Sequence, residues 1–145
     1  MIGHETTSGL LSFAFFNLLK NPTTYFKARE EVDRVLGTNK ITVEHLKDLE
    51  YINAVLRETI RLHPTAPAIS RSIREENKEN PPTLGNGEYV LKKEWSILAL
   101  LPKIHKDPLV YGEDSHLFRP ERMLDESFGS LPKGAWQVCS STTWV

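Results

Sequence analysis

The sequence predicts a mainly α-helical protein with small β-sheets. Three segments in the first half carry apolar residues at helical spacing, and each ends at a proline or a glycine. The second half is rich in turn residues and short apolar runs, which are typical of short strands and loops. The length of 145 residues suits one domain.

The first predicted helix runs from about His4 to Lys20. Its second half, LLSFAFFNLL, is apolar on every side, so we expect protein to surround it. This run is about half of the roughly 20 residues that a membrane-spanning helix needs. The segment is therefore predicted to be a core helix, and no membrane span is expected.

The second predicted helix spans Pro22–Leu36. Asn21 should cap it, followed by a proline at the first helical position, and Gly37 should end it. The apolar residues that form its expected buried stripe are Tyr25, Ala28, Val32, Val35 and Leu36.

A short helix at Val43–Asp48, introduced by Thr42, precedes the third helix, Tyr51–His63. Pro64 and the nearby Pro67 should stop that helix. The residues of its expected buried face are Ile52, Val55, Leu56, Thr59 and Ile60.

Short strands are expected in the region that follows. Asn86-Gly87 before Glu88–Leu91 predicts a hairpin end that enters a strand. Ile69–Ile73 and Trp95–Leu101 are the other predicted strands. The charged segment Arg74–Glu79 is predicted to be a solvated loop.

Charge and cysteine content exclude several classes of function. The 18 basic and 19 acidic residues give a net charge of −1, and the basic residues are scattered. This balance gives no support for binding nucleic acid or an anionic membrane. Cys139 is the single cysteine, so no intrachain disulfide can form. We expect a cytoplasmic protein, with membrane association left open.

Polar groups at the head of the first helix are candidates for chemistry. Glu5 favours a helix N-terminus, and the hydroxyls of Thr6 and Thr7 can satisfy first-turn groups. Alternatively, Thr6 presents its hydroxyl toward a reactive centre, and a threonine that takes over the i−4 carbonyl loosens the helix locally. His4 could be a metal ligand, although a lone histidine is more often a polar surface group.

Glu58 and Arg61 are neighbours on the third helix. A helical wheel places both opposite its apolar face, which predicts an exposed ion pair of small energetic value. The alternative is a buried pair, which needs further hydrogen-bonding partners. Arg122 could supply them, because guanidinium makes forked bonds to carboxylate.

Taken together and in order, these segments resemble the cytochrome P450 family of haem-thiolate monooxygenases. The similar stretches are GHETTS at 3–8, E-x-x-R at 58–61 and FRPER at 118–122. KNP after the first helix, RLHPTAPA at 61–68 and HLFRPERM at 116–123 are similar to the bacterial and fungal self-sufficient fatty-acid hydroxylases, in which a haem domain is fused to a flavin reductase. The resemblance covers about Gly3 to Trp136.

The resemblance implies a fold, a cofactor and partners. The fold is the C-terminal half of a cytochrome P450 haem domain, incomplete in this chain. The cofactor is haem b with its iron, and electrons come from NADPH through an FAD- and FMN-containing reductase. The implied activity inserts one oxygen atom of dioxygen into a C–H bond, on a fatty acid. Nucleic acid is not an implied partner.

The resemblance also implies residue roles. Thr6 matches the threonine that helps to deliver protons during cleavage of dioxygen, and Glu5 matches the acidic member of that relay. Thr6, Thr7, Thr65 and Ala66 match positions that line the haem and substrate pocket. Glu58, Arg61 and Arg122 match a structural network, which predicts burial of the first two against the helical wheel.

Both ends of the chain depart from the family pattern. Ile2 stands where these relatives carry a small residue, usually alanine. After Trp136 the family continues Phe-x-x-Gly-x-Arg-x-Cys-x-Gly, whereas this chain reads QVCSSTTWV. Measured back from Cys139, three family positions differ, so no metal ligand is assigned to it. The three residues are Pro132 in place of Phe, Ala135 in place of Gly and Gln137 in place of Arg.

We therefore expect a partial haem domain at 1–136 and a tail at 137–145 that lies outside the family. We expect the chain alone to be inactive. The alternative is a non-catalytic remnant or a small helical interaction protein that binds no haem.

Overall fold

The computed structural model describes residues 3–73, 79–92 and 94–132. Ile2, Trp136, Cys139 and the predicted tail at 137–145 lie outside the described residues. So do Ala135, Gln137 and nearly all of the charged segment at 74–79.

Three helices make up the first half of the molecule. Helix α1 spans Gly3–Lys20, α2 spans Pro22–Leu36 and α3 spans Glu50–Leu62, and each packs against the other two. Gly37 ends α2 with a backbone φ of 55°, a conformation that favours glycine. A 3₁₀-helix at Val43–Asp48 connects α2 to α3. The predicted helices are thus confirmed to within one residue at each end.

Asn21 does not act as predicted. Its side chain accepts no hydrogen bond from the first turn of α2. Instead its Nδ2 donates to the carbonyl oxygen of Asn17 at 2.8 Å. Asn21 therefore satisfies a carbonyl in the last turn of α1, where carbonyls have no partner within the helix.

The second half contains two small antiparallel sheets, as predicted. Strand β1 (Ala68–Ser72) pairs with β4 (Ser96–Leu100), and β2 (Thr83–Leu84) pairs with β3 (Tyr89–Val90). Asn86 and the glycines on either side of it have φ values of 55° to 98°, as a tight hairpin requires. Short helical segments follow, namely α4 (Leu101–Ile104), α5 (Pro108–Tyr111), a 3₁₀-helix (Pro120–Met123) and α6 (Asp125–Gly129).

The buried faces of α2 and α3 differ from the predicted stripes. On α2, Ala28 is buried as predicted, but Tyr25 is exposed and the carboxylate of Glu31 is buried. On α3, Val55 and Thr59 are buried as predicted, whereas the remaining predicted residues are half-buried. The buried residues of α3 that its stripe omits are Ala54, Glu58, Arg61 and Leu62. Helix α3 is thus covered on its polar side as well.

The described residues do not surround α1. Only Ala14 and Asn17 of this helix are buried, while Phe15 is 64% and Leu19 is 76% exposed. The expectation of an enclosed helix is therefore wrong for this chain, because α2 and α3 cover one side alone. Within the part of the chain that the structure describes, no helix is long and apolar enough to cross a membrane.

Candidate functional site

The centre of the molecule is a buried carboxylate held by two guanidinium groups. Glu58 and Arg61 lie one turn apart on α3, and both are 0% exposed. Arg61 Nε donates to Glu58 Oε2 and Arg61 Nη2 donates to Glu58 Oε1, each at 2.8 Å. This forked geometry is the strongest form of an arginine–carboxylate pair. The prediction of an exposed ion pair from the helical wheel is wrong. The structure contains the buried ion pair that the resemblance implies.

Arg122 completes this arrangement from the 3₁₀-helix at Pro120–Met123. Its Nε donates to Glu58 Oε1 at 3.1 Å, and the backbone N–H of Arg119 donates to the same oxygen at 3.0 Å. Glu58 thus joins α3 to a segment that lies about 60 residues further along the chain.

The remaining N–H groups of Arg61 donate to backbone carbonyls. Nη1 donates to the carbonyl oxygens of His105 at 2.7 Å and Ser115 at 2.6 Å, and Nη2 donates to that of Leu117 at 3.2 Å. The guanidinium carbon lies 4.9 Å from the ring centroid of Tyr111. Arg61 therefore fixes the course of the loop at 105–117. The attachment of this loop to Arg61 was not predicted, because a carbonyl acceptor is not identifiable from the sequence.

Arg122 holds the outer part of the same loop. It donates to the carbonyl oxygens of Tyr111 at 2.8 Å and Asp114 at 3.0 Å, and it also contacts the Asp114 carboxylate at 3.3 Å. Burial disfavours the charged form of Asp114, but the hydrogen bond and charge of Arg122 and the charge of Arg119 outweigh it and lower the pKa of this carboxyl. Asp114 thus adds a second carboxylate to the network, in contact with the guanidinium groups of Arg122 and Arg119.

Burial also controls ionisation around this network. It raises the pKa of the Tyr111 phenol, and it lowers the pKa of His105 although a backbone hydrogen bond at Arg61 acts in the opposite direction. His105 is fully buried. These two groups therefore favour their neutral forms, so the charge at the centre belongs to the arginines and carboxylates alone.

A second set of predicted residues lies along α1. Thr6 is half-buried, and its hydroxyl donates to the carbonyl oxygen of Gly3 at 3.3 Å, three residues back. The predicted bond to the i−4 carbonyl is instead made by Ser12, which donates to Ser8 at 2.8 Å. The Thr6 bond is long for a hydroxyl donor, so it holds this hydroxyl weakly.

Gly9 brings the α1 face of Thr6 against the segment that follows α3. It lies one turn beyond Thr6 on the same face, and a Cβ at Gly9 would lie 3.3 Å from the Cγ2 of Thr65. Thr65 is itself half-buried. The absence of a side chain at position 9 therefore permits the close approach, a role that was not predicted although an isolated glycine within a helix signals it.

The other predicted site residues lie at the edge of this contact. Glu5 and Thr7 flank Thr6 on α1 and are exposed, and Ala66 is exposed beside Thr65. His4 is exposed as well, and no group of three metal-ligating side chains occurs among residues 3–73, 79–92 and 94–132. The structure thus brings the Thr6 face and Thr65 together and leaves the remaining residues open around them.

Comparison with known proteins shows the family of the chain. The family model described as Cytochrome P450 matches residues 1–136. The chain belongs to the cytochrome P450 family.

Several curated cytochrome P450 proteins are similar to the chain. The bifunctional cytochrome P450/NADPH–P450 reductase of Aspergillus oryzae is 62% identical over 136 residues, which cover 93% of this chain and 12% of that protein. A self-sufficient cytochrome P450 monooxygenase of Oidiodendron maius is 54% identical over 141 residues, which cover 97% of this chain and 13% of that protein. The chain thus spans about one eighth of the length of these relatives.

The described residues fit one face of a haem. Gly9 allows α1 to approach Thr65 closely, and the neighbouring Thr7 and Ala66 are exposed, so a haem would have access to them. The single cysteine of the chain, Cys139, lies outside the described residues and is not among the side chains that would contact the haem here.

Proposed function

We propose that this chain forms part of a haem-dependent monooxygenase that inserts one oxygen atom of dioxygen into a C–H bond of a fatty acid. The observation that carries the proposal is the half-buried Thr6 on the α1 face that meets Thr65 across Gly9. Membership of the cytochrome P450 family supports it. Thr6, Thr7, Thr65 and Ala66 would line the haem and its substrate.

A bound haem would supply the oxidation chemistry. The role of Thr6 is to hold a proton at Oγ1, where its weak bond to the Gly3 carbonyl lets the hydroxyl turn toward the site. Glu5 is exposed and adjacent, so its carboxyl can exchange protons with water and pass them to Thr6. Glu58, Arg61 and Arg122 act as structural residues that hold α3 and the loop at 105–117 in place.

The names of the relatives support the proposed electron supply. The Aspergillus oryzae protein is named as a fusion with NADPH–P450 reductase. We infer an FAD- and FMN-containing reductase as the partner of this chain and a cytoplasmic location. The iron ligand is expected to come from outside residues 3–132, and Cys139 is not assigned that role. The family domain at 1–136 and the separate tail at 137–145 remain predictions.

A graft tests this proposal. Residues 3–132 would replace the matching segment of the Aspergillus oryzae relative, and haem content, the carbon monoxide difference spectrum and NADPH-dependent oxidation of a fatty acid would be measured. We expect a graft with bound haem, a strongly red-shifted Soret band and oxidised fatty acid. A soluble graft that contains no haem, or one with haem and no product, would contradict the proposal.

The proton-delivery role has its own control within α1. Thr6→Ala in the graft should reduce product formation by roughly 100-fold, while NADPH oxidation continues, because proton delivery typically contributes that much to a rate. Ser12→Ala removes another exposed hydroxyl bonded within α1 and should leave product formation unchanged. Equal effects of the two substitutions would show that Thr6 has no special role.

A non-catalytic protein is the second candidate, favoured by the exposed apolar residues of α1. The graft separates the two candidates, because only the first predicts haem-dependent product, whereas the chain by itself tests whether it carries an iron ligand. Hemin would be added to the purified chain and reduced, and a carbon monoxide difference spectrum would be recorded. We expect no red-shifted Soret band and no product with a reductase and NADPH. Such a band would identify Cys139 as a thiolate ligand.

A further inference from the structure

A cleft on the opposite half of α1 from Thr6 combines positive charge with a buried hydrogen-bond donor. It lies where the ends of α1 and α3 meet the loop at 105–118 and has a volume of about 290 Å³. Four basic side chains line it, and no carboxylate does among the described residues. The basic residues are Lys20, Lys106, His63 and His116.

Neither lysine has a carboxylate partner within the described part of the chain. Lys20 Nζ lies 5.1 Å above the ring of Phe16, so its ammonium group stays at the cleft. The charge of Lys106, after burial, lowers the pKa of His63. Lys106 is therefore close enough to His63 to disfavour a second positive charge there, and the neutral imidazole can still donate a hydrogen bond to an anion.

The imidazole of His63 is held in a fixed orientation. Its ring stacks on Phe13 with the centroids 4.5 Å apart and the planes 2° apart, and Phe16 contacts it edge-on at 6.3 Å. An aromatic pair of this geometry adds stability beyond the area that it buries. The cleft thus has one rigid wall that presents a hydrogen-bonding ring.

Asn17 supplies the second and independent observation. It lines the cleft, is buried, and its Nδ2 has no hydrogen-bond partner among the described residues. A buried polar group without a partner is costly and requires an explanation. A rotation of the Asn17 amide, which would bring Nδ2 to an acceptor bound in the cleft, would provide one.

The helix ends at this cleft do not cancel its charge. The C-termini of α1 and α3 each carry about half a negative elementary charge. The backbone N–H of Asn21 and that of His63 already donate to carbonyls in those last turns. Two ammonium groups therefore leave the cleft positive.

We propose that this cleft binds a phosphate group, with the ammonium groups of Lys20 and Lys106 and the amide of Asn17 as its ligands. The imidazoles of His63 and His116 are further donors. Phosphate fits this set better than carboxylate, because five donor side chains exceed the two oxygens of a carboxylate. The inference does not depend on haem or on monooxygenase activity.

Histidine ring signals give a direct test with the whole 145-residue chain. Inorganic phosphate would be titrated at constant pH and ionic strength, and the ring protons of all five histidines followed by NMR. We expect saturable shifts at His63 and His116 and none at His4 and His45, which lie outside the cleft. The absence of a saturable shift, or an equal response to acetate, would overturn the proposal.

Substitutions locate the site. Lys20→Gln and Lys106→Gln should each weaken phosphate binding by about tenfold, since each removes a hydrogen bond between charged groups. Lys40→Gln and Lys47→Gln remove exposed charges elsewhere and serve as the matched controls. If the control substitutions weakened phosphate binding as much as the cleft substitutions, the assignment of Lys20 and Lys106 as phosphate ligands would be overturned.

The substitution Asn17→Leu tests the role of the buried amide donor. It should abolish binding without loss of the fold, because it removes an unpartnered amide and keeps a similar volume. The ring-current shift of His63 over Phe13 reports whether the cleft is retained. Undiminished phosphate binding by Asn17→Leu would overturn the role of Asn17.

A vesicle experiment distinguishes a free phosphate compound from a lipid headgroup as the source of the phosphate. Phosphatidylcholine vesicles with and without phosphatidic acid would be sedimented with the chain. Saturation by inorganic phosphate supports a free phosphate compound, and binding only to vesicles with phosphatidic acid supports a lipid headgroup. Failure of both would overturn the proposal.

Discussion

Glu58 shows how much of the structure depends on one side chain. Its two oxygens accept hydrogen bonds from Arg61, Arg122 and the backbone of Arg119. Removal of the carboxylate would leave two buried guanidinium groups without their anion. Breaking a buried ion pair in this way is far more costly than losing a surface pair.

Glu58→Ala should therefore lower the free energy of unfolding by about 3–5 kcal/mol, measured by urea denaturation. Asp33→Ala is the matched control, because it breaks the exposed pair with Arg29 on α2 and should have little effect. A Glu58→Ala variant no less stable than Asp33→Ala would show that the buried network does not hold the fold.

Tyr51 allows a prediction about pH. Burial, followed by the hydrogen bond and charge of Glu121, raises the pKa of this phenol to about 12. Because the folded pKa exceeds that of the unfolded chain, this contribution to stability is present below about pH 10. It is lost as the pH rises toward 12.

The tyrosinate absorbance of Tyr51 can be isolated by subtracting a Tyr51→Phe titration. It should show a pKa of about 12, and Glu121→Gln should lower it. The exposed Tyr89 provides the comparison, through a Tyr89→Phe difference titration. A Tyr51 pKa unaffected by Glu121→Gln would remove the carboxylate from the explanation.

The residue-level predictions were correct where the chemistry of a side chain indicates which group it binds. Arg122 was a candidate for Glu58 because a forked guanidinium matches a carboxylate, and the structure joins them. The helical wheel failed for Glu58 and Arg61 because periodicity describes one helix alone. The segments that cover this side of α3 lie 44 to 64 residues away in the sequence.

At the scale of elements, α3 depends on α2 for the start of its first turn. Its own N-cap position, Leu49, offers no side-chain acceptor. The buried carboxylate of Glu31 on α2 accepts from the backbone N–H of Tyr51 at 2.8 Å and of Ile52 at 2.9 Å. One side chain therefore satisfies two N–H groups that have no partner within the helix.

Glu31→Ala should destabilise the chain by about 1–3 kcal/mol and accelerate hydrogen exchange at the amides of Tyr51 and Ile52. Glu30→Ala removes the adjacent exposed carboxylate and should change neither quantity. Unchanged exchange at these two amides in Glu31→Ala would contradict the capping role.

The helices and the hairpin could be predicted because the residues at their ends favour particular local conformations. Gly37, Pro64 and the Asn86-Gly87 turn fixed the boundaries of α2, α3 and the hairpin through backbone conformations that few residues adopt. Asn21 was misassigned because the same residue can serve the end of one helix or the start of the next. Only the geometry of the junction decides between these roles.

At the scale of the whole molecule, α1 presents more apolar surface than the described residues cover. Leu11, Phe15 and Leu19 recur at four-residue spacing on one side of the helix, and all three are exposed. We name these residues the α1 stripe. An apolar stripe of this kind is typical of an interface or of a tendency to self-associate.

The isolated chain should therefore sediment as a species larger than its 16.6 kDa monomer. The double substitution Phe15→Ser and Leu19→Ser should shift it toward the monomer, because it breaks the α1 stripe. Leu109→Ser is the control, since Leu109 is 94% exposed but lies on α5 away from the stripe. A wild-type chain that sediments as a monomer would mean that the α1 stripe is covered within the chain. If Leu109→Ser had the same effect as the double substitution, the α1 stripe would not be the contact surface.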